Sequence, residues 1–323
     1  MIIHSEDCIL VTGGNGFLGK FVVRELFSKG YRNVVPLSGT RDGLDLTDSS
    51  HVGYIFQQHS PKIVIHLAAR VGGIGANQLS PASFFYENLN MGMKVIEEAR
   101  MTTADKVILA WTVCSYPKHC PVPFSEDDLW NGYPEETNAP YGIAKKALME
   151  MIRSYRMQFN FNGITLMPVN MYGPEDNFNT KTSHVIPALI TNMQKAIEIN
   201  SKEIVVWGTG NATREFLFVE DCAEAIVRAM EVYDEPDPIN IGTGKETRIK
   251  DLVEIIADKM GYDGKIIWDT SKPDGQPRRC LNVDKAKDKL GFSAKTDLST
   301  GLERTVKWYK EVYRPSVVGF AEV

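Results

Sequence analysis

A tyrosine and a lysine four residues apart are the clearest candidates for proton transfer. Pro140 suits the first turn of a helix, so Tyr141 and Lys145 are predicted to lie on one face of that helix. A nearby ammonium stabilises phenolate, which makes the tyrosine a usable proton donor or acceptor near neutral pH. Thr112 follows a short apolar run, and its hydroxyl could hold a substrate carbonyl oxygen. Taken alone, the Tyr–Lys spacing also fits an ordinary surface pair.

A glycine-rich turn near the start of the chain is typical of dinucleotide binding. Residues 13–19 read GGNGFLG and fit both the GxGxxG and the GxxGxxG spacing. Glycines permit positive φ and let backbone N–H groups approach a pyrophosphate at a helix N-terminus. The turn lies between a predicted strand and a predicted helix, which is the context such a site needs. The predicted dinucleotide contacts are Gly13, Gly14, Asn15, Gly16, Phe17, Leu18 and Gly19.

The end of the second predicted strand favours NADP over NAD. NAD enzymes usually place an acid about twenty residues past the glycine turn, where it accepts a hydrogen bond from the ribose 2′-hydroxyl. Residues 36–41 read PLSGTR, with no acid before Asp42. Arg41 could pair with a 2′-phosphate, which a carboxylate would repel, although an exposed loop arginine would look the same in the sequence.

These residues are positioned by alternating strands and helices. Continuously apolar runs predict buried parallel strands at 9–12, 34–37, 63–68, 107–110 and 164–168, and amphipathic stretches predict helices at 18–29, 52–59, 84–99 and 141–159. This alternation implies right-handed βαβ units and an α/β protein with a Rossmann-type, doubly wound parallel sheet. Sites of open α/β sheets form at the carboxyl edge, where Thr112 would lie.

After Asn170 the pattern changes, which predicts a smaller α/β C-terminal lobe for the substrate. Residues 173–182 have turn composition and predict a functional loop. Helices are predicted at 185–198, 220–232, 249–260 and 298–313, and strands at 204–207, 239–241 and 266–268. We expect residues 1–170 to form the NADP-binding domain, joined by a return segment near 214–242. Residues 171–213 and 243–323 would form the second, substrate lobe.

Composition excludes several classes of function. The chain has 36 basic and 41 acidic residues, a net charge of −5, and no Lys/Arg block, which argues against a general nucleic-acid or anionic-membrane binder. No apolar run approaches the ~18 residues that a membrane helix needs. The five cysteines form no CxxC pair and no metal-ligand spacing. We therefore predict reduced thiols, a cytoplasmic location and no metal site.

Several motifs together resemble a known enzyme family. The glycine turn, the strand-end hydroxyl and YxxxK, in that order and with HLAA at 66–69, resemble the extended branch of the short-chain dehydrogenase/reductase superfamily. Strings from residue 8 to about 310 are similar to the GDP-L-fucose synthase family within that branch. The most specific are CSYPK at 114–118 and SHV at 183–185, and others lie at 70–77, 170–174, 176–178, 206–210, 214–216, 239–244 and 274–279.

The resemblance implies a reaction and a role for each residue. That family epimerises C3 and C5 of a GDP-4-keto-6-deoxy sugar and then reduces the C4 ketone with NADPH. The resemblance implies that Cys114 is the base and His184 the acid, while Thr112 and Tyr141 hold O4. Tyr141 would then protonate O4, and Lys145 would orient the nicotinamide ribose. The resemblance assigns Trp207, Arg214, Arg279 and Val185 to the substrate, adds Asp45, Leu46, Ala68, Tyr141, Lys145, Asn170 and His184 to the cofactor contacts, and implies a homodimer joined by the helices at 84–99 and 141–159.

Departures from the family pattern leave the identity of the sugar open. Thr112-Val113 stands where the family commonly has Ser-Ser or Ser-Thr, and Ser115 stands where it often has Ile. Asn15 and Asn192 occupy positions that are Arg in some members, so Arg41 alone argues for NADP.

Two alternatives follow. One is an enzyme of the same branch that acts on another GDP-deoxy sugar or on a GDP-heptose. The other is a catalytically silent NADP-binding protein. The set Thr112, Tyr141 and Lys145 argues against the silent protein, because a sensor needs only the glycine turn. Cys114 with His184 argues against a pure reductase, which needs no second acid/base pair.

Overall fold

Strands and helices alternate along the chain. The computed structural model describes residues 2–179, 182–272 and 274–313, except the side chains of Thr40, Arg41 and Ile74. The strands are β1 (Ile9–Thr12), β2 (Val34–Leu37), β3 (Ile63–His66), β4 (Lys106–Ala110), β5 (Gly163–Pro168), β6 (Asn170–Tyr172), β7 (Glu203–Trp207), β8 (Thr213–Arg214), β9 (Phe216–Phe218), β10 (Ile239–Ile241), β11 (Thr247–Arg248) and β12 (Lys265–Asp269). The helices are α1 (Phe17–Ser28), α2 (Ser49–His59), α3 (Ile74–Leu79), α4 (Pro81–Met101), α5 (Ala139–Phe159), α6 (Val185–Glu198), α7 (Val219–Val232), α8 (Ile249–Met260), α9 (Asp284–Leu290) and α10 (Leu298–Glu311).

The predicted α/β fold is confirmed. Six strands form one parallel sheet in the order β10-β5-β4-β3-β1-β2, and the chain order reverses beside β1 as in doubly wound folds. The residues of β1, β3, β4 and β5 are buried throughout, because helices cover both faces of the sheet. This burial explains why the strands are continuously apolar rather than alternating.

Strand register brings the predicted site residues to one edge of the sheet. Thr12 at the end of β1 pairs with His66 at the end of β3, and His66 pairs with Leu109 near the end of β4. The turn that follows each of these strands therefore opens on the same side. Thr112 lies two residues beyond β4, so it is at this carboxyl edge, as the sequence predicts.

A second, smaller core lies beyond the sheet. The strands β7 and β12 form a parallel pair, and helices α6, α8 and α10 contribute apolar side chains to this core. Phe178 joins it through ring contacts with Trp308, Tyr309 and Tyr313. Two further strand pairs lie outside the six-stranded sheet. The strands β6 and β9 are parallel, and β8 and β11 are antiparallel.

The structure adds elements that the periodicity did not predict. The helices α3 and α9 have six and seven residues, which is too short for a 3.6-residue period to stand out. Ala286 and Leu290 of α9 pack into the core of the first lobe, although the sequence assigns residues 243–323 to the second. Residues 180 and 181 of the predicted functional loop lie outside the described residues. Among the described helices, none is long and apolar enough to cross a membrane.

A buried lysine at the start of β4 binds the C-terminal end of α7. Lys106 at the start of β4 is 1% exposed, and its Nζ donates to the carbonyl oxygens of Met230 and Tyr233 at 2.7 Å each and to that of Ala229 at 3.3 Å. It also pairs with the Asp234 carboxylate at 2.9 Å. These carbonyls end α7, so the ammonium supplies donors and positive charge at the negative pole of that helix. Burial lowers the pKa of Lys106.

Replacing Lys106 by methionine tests this contact. Met keeps the apolar stem but leaves buried carbonyl oxygens without a donor, so we expect Lys106→Met to lower the free energy of unfolding by about 3 kcal/mol. Urea denaturation measures the change. Lys62→Met is the matched control, because Lys62 also precedes a sheet strand but pairs with Asp105 at 3.4 Å in an exposed position, which predicts a loss below about 1 kcal/mol. Equal stabilities for the two variants would contradict the assigned role.

Candidate active site

The turn between β1 and α1 permits close approach of a ligand to the backbone. Gly13 has a positive φ of 71°, and Gly16 immediately precedes the first turn of α1. A Cβ at Gly14 would lie 2.6 Å from the Cβ of Pro36 in β2 and 2.8 Å from the carbonyl oxygen of Val11. The turn therefore lies directly on the sheet, and its glycines carry no side chain that would keep a pyrophosphate from the backbone. This arrangement fits a dinucleotide.

The remaining predicted cofactor residues surround this turn. The Asn15 side chain donates to Ser38 Oγ at 2.6 Å, which joins the glycine turn to the end of β2. Phe17, Leu18 and Gly19 form the first turn of α1 and pack on the core. Arg41 lies in the 3₁₀ helix Gly39–Asp42, and its side chain is outside the described part of the structure. Binding of a 2′-phosphate by Arg41 stays a prediction.

Other predicted cofactor residues hold the adjacent loops. Asp45 accepts hydrogen bonds from the backbone N–H and the hydroxyl of Thr47, both at 2.8 Å, and these bonds lower the pKa of its carboxyl. Leu46 is buried. The Ala68 N–H donates to Thr12 Oγ1 at 3.3 Å, which ties the loop after β3 to the end of β1. Asn170 donates to the carbonyl oxygen of Glu215 at 3.1 Å.

The turn after β4 carries the predicted strand-end hydroxyl and thiol. Thr112 Oγ1 accepts a hydrogen bond from the Cys114 N–H at 3.1 Å and begins the 3₁₀ helix Val113–Ser115. The hydroxyl hydrogen of Thr112 takes no part in that bond and can still donate to a substrate oxygen. Thr112 is buried, whereas the side chain of Cys114 is half-buried. The turn therefore carries a partly accessible thiol two residues after a hydroxyl donor.

The predicted acid Tyr141 lies in the first turn of α5, against this 3₁₀ helix. A Cβ at Gly142 would lie 2.6 Å from the Cys114 carbonyl oxygen, so the helix and the turn are in direct contact. Burial raises the pKa of Tyr141, and the nearby Cys114 raises it further. The structure thus differs from the expectation that Lys145 brings Tyr141 close to neutrality, because desolvation of the phenolate prevails in the unliganded protein. Tyr141 is a proton donor at neutral pH.

Lys145 lies one helical turn beyond Tyr141 and is 2% exposed. Its Nζ donates to the carbonyl oxygen of Ala110 at the end of β4 at 3.3 Å, and it lies 5.9 Å from the centroid of the Tyr141 ring. Burial lowers the pKa of Lys145 to about 8. The ammonium is therefore the predominant form at neutral pH, and a modest rise in pH removes it.

His66 is a residue near the site to which the sequence assigned no role. It is fully buried, its Nδ1 lies 2.7 Å from Thr12 Oγ1, and its Nε2 has no hydrogen-bond partner among the described residues. Burial and the positive charge of Lys145 lower the pKa of His66 to about 3, so the imidazole is neutral. The HLAA motif at 66–69 was the only sequence feature that pointed to His66, and a motif does not show that the ring is next to Lys145.

His184, the predicted acid, immediately precedes α6. Its side chain is open to solvent, yet the surrounding protein lowers its pKa by desolvation. The loop after β3 approaches the residue before His184, since a Cβ at Gly73 would lie 3.2 Å from the Ser183 carbonyl oxygen. His184 is therefore mainly neutral at pH 7 without a ligand. An anion bound beside the ring would favour its protonated form.

The second lobe places a cation beside the thiol. Arg279 is 7% exposed, and its Nη1 lies 3.5 Å from Cys114 Sγ. Gln276 orients the guanidinium by accepting from Arg279 Nε at 3.2 Å, and it donates to the carbonyl oxygens of Pro117 and Lys118 at 3.2 and 3.0 Å. The 274–279 string thus reaches the turn after β4. The sequence assigned Arg279 only to the GDP moiety.

Of the other predicted substrate residues, Arg214 bonds to the protein backbone, whereas Trp207 is exposed to solvent. Arg214 donates to the carbonyl oxygens of Thr213, Gln276 and Asp274 at 2.5–2.9 Å, so part of its hydrogen-bonding capacity supports the 274–276 segment. Burial and the neighbouring Arg279 lower the pKa of Arg214 to about 10. Trp207 is 60% exposed, and Lys272 Nζ lies 5.3 Å from the centroid of its ring. Val185 begins α6.

A buried carboxylate supports this part of the site, and the sequence did not single it out. Glu215 is 0% exposed and accepts backbone N–H groups from Leu281 and Gly244, each at 2.7 Å, and from Thr243. It therefore fixes the loop after β10 and the segment after Arg279 in one place. The only sequence feature that pointed to Glu215 was its place in the family-like string at 214–216. Among the described residues, no group of three or more His, Cys, Asp or Glu side chains could hold a metal ion.

Comparisons with known proteins agree with this geometry. The sequence profile of the NAD dependent epimerase/dehydratase family matches residues 9–242. GDP-L-fucose synthase 1 of Arabidopsis thaliana is 40% identical over 301 residues, which cover 93% of this chain and 92% of that protein.

Two solved structures are similar over nearly the whole chain. The first is a GDP-L-fucose synthetase from Naegleria fowleri bound to NADP, with a TM-score of 0.88 and 28% identity over 98% of this chain and 97% of that chain. The second is a GDP-6-OMe-4-keto-L-xylo-heptose reductase from C. jejuni, with a TM-score of 0.89 and 27% identity over 95% of this chain and 99% of that chain.

Proposed function

The chain belongs to the NAD dependent epimerase/dehydratase family, and we propose that it converts GDP-4-keto-6-deoxy-D-mannose to GDP-L-fucose with NADPH. It is an NADP-dependent oxidoreductase of the GDP-L-fucose synthase type. The observation that carries the epimerase half is the partly accessible Cys114 thiol, whose Sγ lies 3.5 Å from Arg279 Nη1 in the turn that begins at Thr112. A reductase needs the hydroxyl, tyrosine and lysine but has no use for a thiol there.

Epimerisation requires an acidic C–H bond and two groups on opposite faces of the sugar ring. Thr112 and Tyr141 would both donate to the C4 carbonyl oxygen, and so stabilise the enolate that forms when the C3 or C5 proton leaves. Cys114 would remove that proton, and His184 would return one from the other face. The enolate and the pyrophosphate place negative charge in the cleft, which favours protonated His184 when substrate is bound.

Reduction follows at the same carbonyl. NADPH, when bound, supplies the hydride that reduces C4. Tyr141 holds its proton because burial raises its pKa, so it is ready to protonate O4 as the carbonyl becomes an alkoxide. Lys145 would bind the nicotinamide ribose with its ammonium, which is one turn from Tyr141. The two steps therefore share the contact at O4 and differ in the group that acts on carbon.

The second lobe would bind the nucleotide. The Trp207 ring would stack on guanine, and Arg279 and the free donors of Arg214 would contact the pyrophosphate. Arg279 would also act near Cys114, because its Nη1 is 3.5 Å from that sulfur before any ligand arrives. A thiol base must stay reduced, and all five cysteines are free, so we place the enzyme in the cytoplasm.

The second candidate is a reductase or epimerase for a related GDP-sugar. The similarity to the C. jejuni GDP-heptose reductase favours it, as do the departures from the family pattern at Val113 and Ser115. The two candidates differ in which sugar is accepted and in whether C3 and C5 exchange.

Solvent exchange separates the two activities. In heavy water with GDP-4-keto-6-deoxymannose and NADPH, we expect deuterium at C3 and C5 by NMR and loss of NADPH absorbance at 340 nm. Cys114→Ser should slow the exchange by more than about 100-fold, because a hydroxyl is a far weaker base than a thiolate, while NADPH affinity is unchanged. Cys120→Ser, on a half-buried thiol outside the site, is the control and should retain full exchange. Reduction without exchange in the wild type would exclude the epimerase half.

The ionisation of Lys145 predicts an alkaline limit for the reduction. The protonated fraction of Lys145 falls as the pH rises through about 8, so kcat/KM for NADPH oxidation should fall with it. Thr112→Val is the matched control, since it removes an O4 donor and lowers the rate without removing this ionisation. The variant should keep the same alkaline limb. A profile that stays flat up to about pH 10, near the ordinary lysine pKa, would contradict the role of Lys145.

We propose a homodimer joined through α4 and α5. These helices pack on each other and leave Phe85, Tyr86, Met93, Met157 and Phe159 exposed. An apolar groove lies at their N-terminal ends, lined by Pro81, Ala82, Phe85, Tyr133, Pro140 and Ile143. A second copy would cover this surface by helix-to-helix packing.

Sedimentation tests this dimer. The wild type should have twice the mass of one chain, and Phe85→Glu, which places a charge on the apolar surface, should have the mass of a single chain. A monomeric wild type would contradict this.

A further inference from the structure

The hydroxyl of Ser115 connects three parts of the site. Ser115 is 0% exposed and follows Cys114 in the turn after β4. Its Oγ accepts a hydrogen bond from the indole N–H of Trp111 at 2.6 Å and donates to the carbonyl oxygen of Gly142 in α5 at 3.1 Å. One small side chain thus bonds the end of β4, its own turn and the first turn of the helix that carries Tyr141.

The bond to Gly142 joins the residues that follow the two reacting groups. Ser115 comes directly after Cys114, and Gly142 comes directly after Tyr141. The turn itself is held at both ends, because the Ser115 N–H donates to the Thr112 carbonyl at 3.1 Å and the Cys114 N–H donates to Thr112 Oγ1 at 3.1 Å. With the turn internally fixed, the Ser115–Gly142 bond adds a directional hydrogen bond to the close backbone packing that orients the turn relative to α5.

We propose that Ser115 is a positioning residue that holds the Cys114 thiol in register with the Tyr141 hydroxyl. This inference rests on the proposed function and deepens it. A base and an O4 donor must reach neighbouring atoms of one sugar ring, so a small rotation of the turn against α5 moves the sulfur away from C3 and C5. Ser115 acts through Cys114 and contacts no substrate atom itself.

A purely structural role is the competing explanation. Trp111 is 4% exposed, and its indole N–H needs an acceptor, which Ser115 provides. Loss of the hydroxyl would leave that donor unpaired and destabilise the fold without any effect on geometry. The two roles depend on different bonds of the same oxygen. Trp111→Phe removes the indole donor and leaves the Ser115–Gly142 bond, so the two roles can be tested apart.

A double-mutant cycle separates them. Ser115→Ala should lower the melting temperature by about 3 °C when residue 111 is Trp, and by clearly less when it is Phe, because Phe has no N–H to leave unpaired. By contrast, Ser115→Ala should lower kcat for C3/C5 exchange by about 10-fold in both backgrounds with KM unchanged, because the bond to Gly142 is lost in both. If the loss of kcat also disappears with Phe at 111, or if kcat changes by less than about twofold in both, the positioning role is wrong.

A second readout does not depend on the substrate. Freed from α5, the turn should expose the half-buried thiol, so we expect Cys114 to react with iodoacetamide about threefold faster in Ser115→Ala in both backgrounds. Trypsin separates Cys114 from Cys120, because Lys118 lies between them, and Cys120 serves as the internal reference. Unchanged alkylation of Cys114 would overturn the inference whatever sugar the enzyme uses. Absence of exchange in the wild type would overturn only the proposed epimerase activity.

A buried hydroxyl elsewhere serves as the matched control. Thr305 is 1% exposed, and its Oγ1 donates to the Gly301 carbonyl at 2.7 Å within α10. Thr305→Val removes one buried hydroxyl bond to a backbone carbonyl, as Ser115→Ala does, but away from the site. We expect a lower melting temperature with unchanged kcat and unchanged alkylation of Cys114. An equal loss of kcat in both variants would show that general destabilisation, and not position, limits exchange.

Discussion

Direct contact between the first turn of α5 and the carbonyl of Cys114 is the constraint on which the site depends. It requires glycine at 142, because a Cβ there would lie 2.6 Å from that oxygen. With the two backbones in contact, the tyrosine on the helix and the thiol on the turn lie close enough for Cys114 to raise the pKa of Tyr141. The sheet supplies the other condition, since the turn after β4 opens at the same edge as the turns after β1 and β3. The glycine turn for the cofactor therefore lies on the same side as the acid/base groups.

The second lobe extends this constraint to the substrate. Glu215 holds the loop after β10 and the segment after Arg279, and Arg214 holds the 274–276 segment by its carbonyl oxygens. Arg279 can then reach Cys114 from the opposite lobe. In the proposed function, a chain with a net charge of −5 would bind a doubly charged pyrophosphate because these cations are held locally, in a partly desolvated place where their charge is weakly screened.

The sequence predicted the elements well and the contacts poorly, for physical reasons. Buried strands such as β1 and β3 and long amphipathic helices such as α6 carry their pattern in consecutive residues, so their ends were predicted to within a few positions. The helices α3 and α9 are too short for that pattern. Contacts between distant residues leave no local pattern. Arg279 beside Cys114 and His66 near Lys145 depend on the packing of whole elements, and their spacing in the chain does not encode it.

The ionisation of the site follows from burial and has a consistent direction. Burial raises the pKa of Tyr141 and lowers those of Lys145 and His184, so each group is pushed towards its neutral form before a ligand arrives. Burial penalises every charge in the cleft, including that of an enolate, unless fixed donors and cations meet it. In the proposed reaction Thr112 and Tyr141 would be the donors to O4, and because both lie on fixed elements the enolate would meet oriented donors that need little rearrangement. The same low polarity that shifts these pKa values makes the interaction of fixed donors and cations with the enolate stronger than it would be in water.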